Sequence, residues 1–413
     1  MTNDRLATLM RTPVLATVFV ATTIISSCSS GEPHGSPAAV TVSPTTATPP
    51  SSEPSPVSSA PPTPVTSSPT TSTTIPDITT DLAAFDAVVE KRTVAAGSND
   101  VSVAIARDGR VLHTFTAARD RPGVPVSTAF RLASISKTVT AVVALRLVDA
   151  GLLDLDRPVV GDIARRAGYE LGDPRSAEIT LRQLLSHTSG FDGHLDYFFA
   201  PTTDDVSVML RTALGDRLWT DPGAGYRYSN INFHLVGLLI ERVTGKRYQE
   251  VAYTSLLEPL GLTSFRYAVV DSNVEGEPWY SVTSNRRYME RLGAAGAWTA
   301  SASDVALLLD SLNVEGVDEP DRWRPLSDAT RREMFTIQTP SPAGPDWDYG
   351  LGVRIFASGA VGHSGTIESV HTMAITRPDG LTLVVLVNGA YPKETDELLD
   401  VLFEAEMASR ISS

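Results

Sequence analysis

Apolar residues recur along this chain in two rhythms, and their order predicts an architecture. Val101-Ser-Val-Ala-Ile-Ala106 and Val111 to Phe115 are short runs rich in strand-forming residues, separated by Asp108-Gly109, a dipeptide suited to a tight turn. They read as a β-hairpin. Ahead of them, Leu82 to Val94 carries helical spacing. Towards the other end, Gly352 to Phe356, Val370 to Thr376 and Leu381 to Val387 predict three more strands, the last two divided by a turn at Pro378-Asp379-Gly380. A closing helix is expected from Glu394 to about Met407. Between these ends the patterns are mostly helical, at Thr138 to Ala150, Leu181 to Leu185 and Phe233 to Val243, joined by long loops. Strands at both ends with helices between them predict one sheet completed by both chain ends, carrying an inserted helical lobe.

Upstream of residue 81 the pattern changes twice. Arg5 and Arg11 precede an apolar stretch from Pro13 to Ile25, too short for a permanent membrane span but suited to the core of a signal peptide. It ends in Ile25-Ser-Ser-Cys28, which resembles the bacterial lipobox, in which small residues admit the signal peptidase and the cysteine thiol receives a diacylglycerol. Cys28 is the only cysteine, and a lone thiol in an exported protein has no internal disulfide partner, so a lipid anchor gives it a use. The competing reading is an ordinary secretory signal with an incidental cysteine. From Ser29 to Thr80, Ser, Thr and Pro dominate, with few large apolar side chains to offset the entropy of ordering. The expected organisation is a signal peptide over 1–27, a tether over 28–80 and one folded unit over 81–410. Within that unit a sheet lobe would occupy about 81–145 and 290–410, and a helical lobe about 146–289. The product would sit on the outer face of a bacterial membrane, facing the periplasm or cell wall.

Composition narrows the chemistry. Acidic residues outnumber Lys and Arg by 48 to 34, a formal charge of −14, which excludes a broad grip on nucleic-acid phosphates. Lysine occurs only at Lys91, Lys137, Lys246 and Lys393, so chemistry that needs an amine has few candidates. Just one of the four has a serine three residues earlier. Phe130-Arg-Leu-Ala-Ser134-Ile-Ser-Lys137 runs into the apolar helix pattern that follows, and residues three apart share a helix face. A serine hydroxyl is a poor nucleophile until a base takes its proton, and a desolvated lysine can be that base. Taken alone, the same spacing fits a helix cap followed by a surface charge. The apolar flanks argue instead for a buried turn, and a buried lysine needs a partner or a task.

Two further clusters offer partners. Pro222-Gly-Ala-Gly-Tyr226-Arg-Tyr228-Ser-Asn230 sets a phenol and an amide two residues apart, pointing the same way in an extended chain. Tyr228 is suited to relay a proton between the serine and a leaving group. Asn230 is suited to hydrogen-bond Lys137 or the acyl amide of a substrate, or else simply to cap the helix that begins there. Gly362-His363-Ser364-Gly365-Thr366 falls between strand patterns; His363 or Ser364 could hold a substrate carboxylate or carbonyl. Backbone N–H groups near Thr366 and at Ser134 would then make an oxyanion hole. The structural alternative is that His363, one of seven histidines, is simply packed.

In order and spacing these three elements resemble the serine β-lactamase and penicillin-binding superfamily, especially its branch of class C β-lactamases, D,D-peptidases and β-lactamase-like esterases. The resemblance spans about Asp81 to Ala408 and is reinforced by Ile179-Thr-Leu-Arg-Gln-Leu-Leu-Ser-His-Thr-Ser-Gly190, in which Thr180 and Gln183 are placed to form a capping box. It implies an α+β fold, with an antiparallel sheet flanked by helices beside an all-helical lobe. It also implies that Ser134 is the nucleophile, Lys137 its base and Tyr228 a proton carrier, while Asn230, His363, Ser364 and Gly365 face an ester or D-alanyl peptide substrate. Neither metal nor cofactor is implied. One departure stands out: β-lactamases commonly have lysine where this chain has His363, which supplies less positive charge at neutral pH.

Competing chemistries fit less well. No His-Glu-x-x-His run or paired cysteines give metal-ligand spacing, and the nearest approach to a Gly-x-Ser-x-Gly elbow, at Gly362 to Thr366, lacks its final glycine. His187 would be the base of a Ser-His-Asp hydrolase. A non-catalytic binder of cell-wall peptides is the other class, which the intact Ser134, Lys137 and Tyr228 oppose.

Overall fold

The computed structural model describes residues 81–193, 206–268, 275–278, 280, 288–313, 323–339 and 342–409. The expected signal peptide, the Cys28 anchor and the tether lie outside the described residues, as does most of the loop from Phe191 to Asp205.

The first helix, α1 (Leu82–Arg92), begins at Asp81, whose carboxylate accepts from the Ala84 N–H at 3.1 Å, and it ends on two basic residues that suit the negative end of its dipole. Strands β1 (Ser98–Arg107) and β2 (Arg110–Ala118) form the expected hairpin at Asp108-Gly109. Five strands, not three, come from the C-terminal part: β6 (Trp347–Tyr349), β7 (Arg354–Phe356), β8 (Val361–Ile367), β9 (Val370–Thr376) and β10 (Thr382–Gly389). Together they make a seven-stranded antiparallel sheet in the order β2-β1-β10-β9-β8-β7-β6. The segment Gly362 to Thr366, expected between strands, is itself the body of β8. Its glycines and polar residues hide the strand rhythm, and pairing with β9 from Val361↔Thr376 to Ile367↔Val370 imposes it.

The central strands are buried almost throughout because both faces are covered. Ala104, Ala106, Ala374, Val384 and Leu386 enter one core, while Val103, Ile105, Ile375, Leu383 and Val385 enter another. The alternation is the period of two that a strand imposes. The second core is closed by α1 (Phe85, Val89) and by the last helix, Glu397–Ser409 (Leu398, Val401, Leu402). Burying each such side chain stabilises the fold by roughly 1.5–3 kcal/mol relative to exposure.

The first core holds the helix Ser136–Asp149, in which every residue from Ser136 to Leu145 is buried. From residue 146 to 268 the described elements are helical apart from the two-residue strand β4 (Arg266–Tyr267), which pairs with β5 (Trp298–Ala300) beside β3 (Phe130–Arg131). Thr180 and Gln183 form the capping box expected of them at the head of Leu181–Leu185. The helix Asn230–Thr244 closes on Gly245 in the left-handed region, where a residue without a Cβ is least strained.

Candidate active site

Between Thr128 and Leu145 every residue is buried except Ser134. It does not share a helix with Lys137, as the spacing had suggested. It lies in a short 3₁₀ turn, Ala133–Ile135, entered through Ala133 at φ +49°, and Lys137 occupies the first turn of the helix that follows. A left-handed alanine is strained and persists only where its surroundings fix it. Those surroundings are visible. The Leu132 N–H donates to Trp298 O at 2.9 Å, Thr372 Oγ1 donates to Leu132 O at 3.0 Å, and the Trp298 N–H donates to Ser136 Oγ at 3.1 Å. The turn is thus pinned to β5 on one side and β9 on the other.

Lys137 is fully buried, with its Nζ 3.0 Å from Ser134 Oγ and donating to Ala295 O at 2.9 Å. Burial, aided by the charge of Arg354, drives its ammonium form well below the usual lysine range. Its amine can therefore be an unprotonated base at neutral pH. The Tyr228 phenol interacts with the Ser134 hydroxyl, and its ring centroid is 4.8 Å from Lys137 Nζ. Burial pushes the phenol up to about 12, against the opposing effects of Ser134 and Arg354. Burial thus favours the neutral form of both groups, an amine that can accept a proton and a phenol that can donate one.

These groups open on a cleft of about 300 Å³ whose lining includes Ser134, Tyr228, Asn230, Arg354, Ser364 and Gly365. Asn230 does not bond Lys137, whose partners are Ser134 and Ala295, nor does it cap its helix, since Ser229 holds the cap position. Its Oδ1 is buried at the cleft with no hydrogen-bond partner among the described residues, and so can accept from an N–H.

On β8 the expected set divides. Ser364, Gly365 and Thr366 line the cleft, and since β7 pairs with β8 only at Val361 and Gly362, the rest of that edge has no strand partner among the described residues. His363 is not part of the lining. It is buried, and because a carbonyl only accepts, its Nδ1–H donates to Ser364 O at 2.6 Å, leaving Nε2 to accept from Tyr349 Oη at 2.8 Å. Its ring is occupied by protein and has nothing left for a substrate carboxylate. Burial, together with Arg354 and Lys137, holds it well below the usual histidine range.

His187, the base of the competing triad, faces elsewhere too. Its Nδ1 accepts from the Ser229 N–H at 3.2 Å and from Asn232 Nδ2 at 3.1 Å, and its ring packs 4.2 Å from that of Tyr228. Arg354 and the acidic pair Glu394 and Asp396, which also line the cleft, escaped the sequence reading. Strand pairing brings Arg354 there and the turn ahead of the last helix brings the two acids, and no local pattern reports either.

Residues 85–406 match the family described as Beta-lactamase. The chain is 27% identical to Esterase EstB of Burkholderia gladioli over 379 residues, covering 79% of this chain and 94% of that protein. Among solved structures, a D-stereospecific amidohydrolase from Streptomyces sp. superposes with a TM-score of 0.64 at 26% identity, covering 78% of this chain and 98% of the other. The D-amino acid amidase of Ochrobactrum anthropi SV3, complexed with L-phenylalanine, gives a TM-score of 0.67 at 23% identity over 80% and 99%, a likeness of fold.

Proposed function

Because the chain belongs to the Beta-lactamase family, whose similar proteins here include an esterase and amide hydrolases, we propose that it is a serine hydrolase that forms an acyl-enzyme on Ser134 and acts on esters or D-alanyl peptides. The observation that carries the proposal is the 3.0 Å approach of a fully buried Lys137 amine to the Ser134 hydroxyl.

The steps balance as follows. The Ser134 Oγ–H proton passes to the Lys137 amine while Oγ forms a bond to the substrate carbonyl carbon. The carbonyl oxygen takes up the electron pair and is met by backbone N–H groups at Ser134 and Thr366. As the tetrahedral species collapses, the bond to the leaving oxygen or nitrogen breaks and Tyr228 conveys a proton to that atom, to be replenished from the Lys137 ammonium. Water then attacks the acyl carbon by the reverse sequence, freeing Ser134. Asn230 Oδ1 accepts from an acyl-side amide N–H where the substrate has one. Ser364 and Gly365 border the acyl chain, and His363 supports Tyr349 behind it.

The proposal extends to location. Cleavage before Cys28 and lipid attachment to its thiol would hold the enzyme outside a bacterial membrane on a Ser/Thr/Pro tether. Lipid labelling that survives in the wild type and disappears in Cys28→Ser supports the anchor; labelling that persists rejects it. For the activity, the protein is incubated with short-chain nitrophenyl esters, a D-Ala-D-Ala peptide and a chromogenic cephalosporin, beside Ser134→Ala. Turnover of an ester or D-peptide that vanishes in Ser134→Ala supports the proposal, and turnover that survives the substitution refutes it.

A further inference from the structure

The Lys137 amine sits among several titratable groups. Ser134 and Tyr228 are in contact with it, and the charges of His187, His234, His363 and Arg354 interact with its own. Burial holds each of these three histidines below its ordinary range, His234 at about 4, so none carries charge at neutral pH. Their partners agree with this: His187 Nδ1 accepts two hydrogen bonds, and His363 is fixed between a carbonyl and a phenol. A guanidinium, in contrast, keeps its charge at any working pH.

Arg354 is held in place for such a role. On β7 it pairs with Gly362, the residue before His363. Its guanidinium carbon lies 4.1 Å from the Trp347 ring centroid, and Nη1 donates to Asp396 Oδ1 at 2.7 Å. The side chain is 15% exposed, Nε is buried without a hydrogen-bond partner, and the residue lines the same cleft as Ser134 and Tyr228. Among the described residues lining that cleft there is no other Arg or Lys.

We propose that Arg354 is an electrostatic positioning residue, supplying the fixed positive charge that controls proton transfer at Ser134, and that Asp396 is the counter-ion that tempers it. The assignment rests on Ser134, Lys137 and Tyr228 being the acyl-transfer groups. A cation near the amine repels the proton that would disable the base, and a cation near the phenol eases release of its proton to a leaving group. Arg354 thereby supplies, from a neighbouring strand, the charge that a neutral His363 does not. The carboxylate of Asp396 opposes both effects, so the two members of the pair act with opposite sign.

The four lysines make the test direct. Lys91, Lys246 and Lys393 are exposed, so the buried Lys137 gives a distinct signal in protein labelled with ¹³C at lysine Cε, assigned by its loss in Lys137→Met. The full chain in detergent is titrated by NMR, and the acid limb of kcat/KM for a nitrophenyl ester is recorded alongside. In Arg354→Gln both midpoints are expected to rise by about one pH unit, in Asp396→Asn to fall, and in Arg354→Lys to stay near wild type. A Lys137 midpoint unmoved in Arg354→Gln, or displaced in the same direction in both charge-removing variants, overturns the proposal. The NMR titration needs no turnover. A wild type that hydrolyses nothing would therefore sink the hydrolase reading alone, and the lysine midpoints would still decide the role of Arg354.

Discussion

Gly365 lies so close to Leu132 that a Cβ built on it would stand 2.4 Å from the Leu132 carbonyl oxygen, and 2.9 Å from Ala133 Cβ. The backbone of β8 therefore presses directly on the turn that presents Ser134. Both contacts are to rigid groups, and neither can yield as the end of a flexible side chain would.

Gly365→Ala should consequently displace β8 from the nucleophile turn. Overpacking of this kind typically costs about 1–3 kcal/mol of stability, so the variant is expected to fold with a lowered Tm; because misplacing a reacting group by about 1 Å can cost about 10²-fold, kcat/KM is expected to fall at least about tenfold. Thermal unfolding and ester hydrolysis measured together check this, and wild-type activity in a folded variant would contradict it.

Lys137 sets stability against function. The native state disfavours the ammonium that the unfolded chain carries, which costs folding free energy below the ordinary lysine value. Lys137→Met removes that cost and fills the same space with an apolar chain. The expected result is an equal or higher Tm together with a loss of about 10²–10⁴-fold in kcat, the usual range for a general base. A variant with lowered Tm and retained kcat would show that the amine is structural.

Tyr228 should discriminate by leaving group. A phenol held near 12 stays protonated at neutral pH and helps most when the departing atom is strongly basic. Tyr228→Phe is therefore expected to slow an alkyl ester or a D-amino acid amide by at least about tenfold more than a nitrophenyl ester. Equal slowing of all three substrates would remove the phenol from the proton path.

Acid should weaken the fold before most carboxylates titrate. His187, His234 and His363 are buried and neutral, with native-state values below the ordinary 6.5. As pH falls through that value the unfolded chain gains protons that the native state refuses, so stability declines towards each depressed native value, about 4 for His234. Above the unfolded value the stability is fully present. Each histidine can contribute up to about 1.4 kcal/mol per pH unit within that window. Urea unfolding should show a lower midpoint at pH 5 than at pH 7.5, with part of the difference removed in His234→Gln; equal midpoints would mean the rings charge freely in the native state.

What the sequence made legible is local. The hairpin at Asp108-Gly109, the Thr180–Gln183 capping box and the apolar helix after Ser136 follow from neighbouring residues alone, and the structure has all three. The pairing of Ser134 with Lys137 was readable as a spacing, but not its form: the left-handed Ala133 is held by Trp298, Thr372 and Gly365, far along the chain. His363 looked like a substrate ligand because its neighbours resemble a cleft motif, whereas its Tyr349 partner arrives through the β6–β7–β8 order. Arg354 was invisible for the same reason. Its meeting with Asp396 joins β7 to the turn before the last helix, two segments far apart in sequence.

The most direct measurement is the mass of the intact protein over time with a fluorophosphonate, for the wild type, Ser134→Ala and Lys137→Met. The expected result is a single adduct, located on Ser134, that is absent from Ser134→Ala and forms at least about 10²-fold more slowly in Lys137→Met. An adduct on another residue, or labelling of Lys137→Met at the wild-type rate, would contradict the pairing of this amine with this hydroxyl.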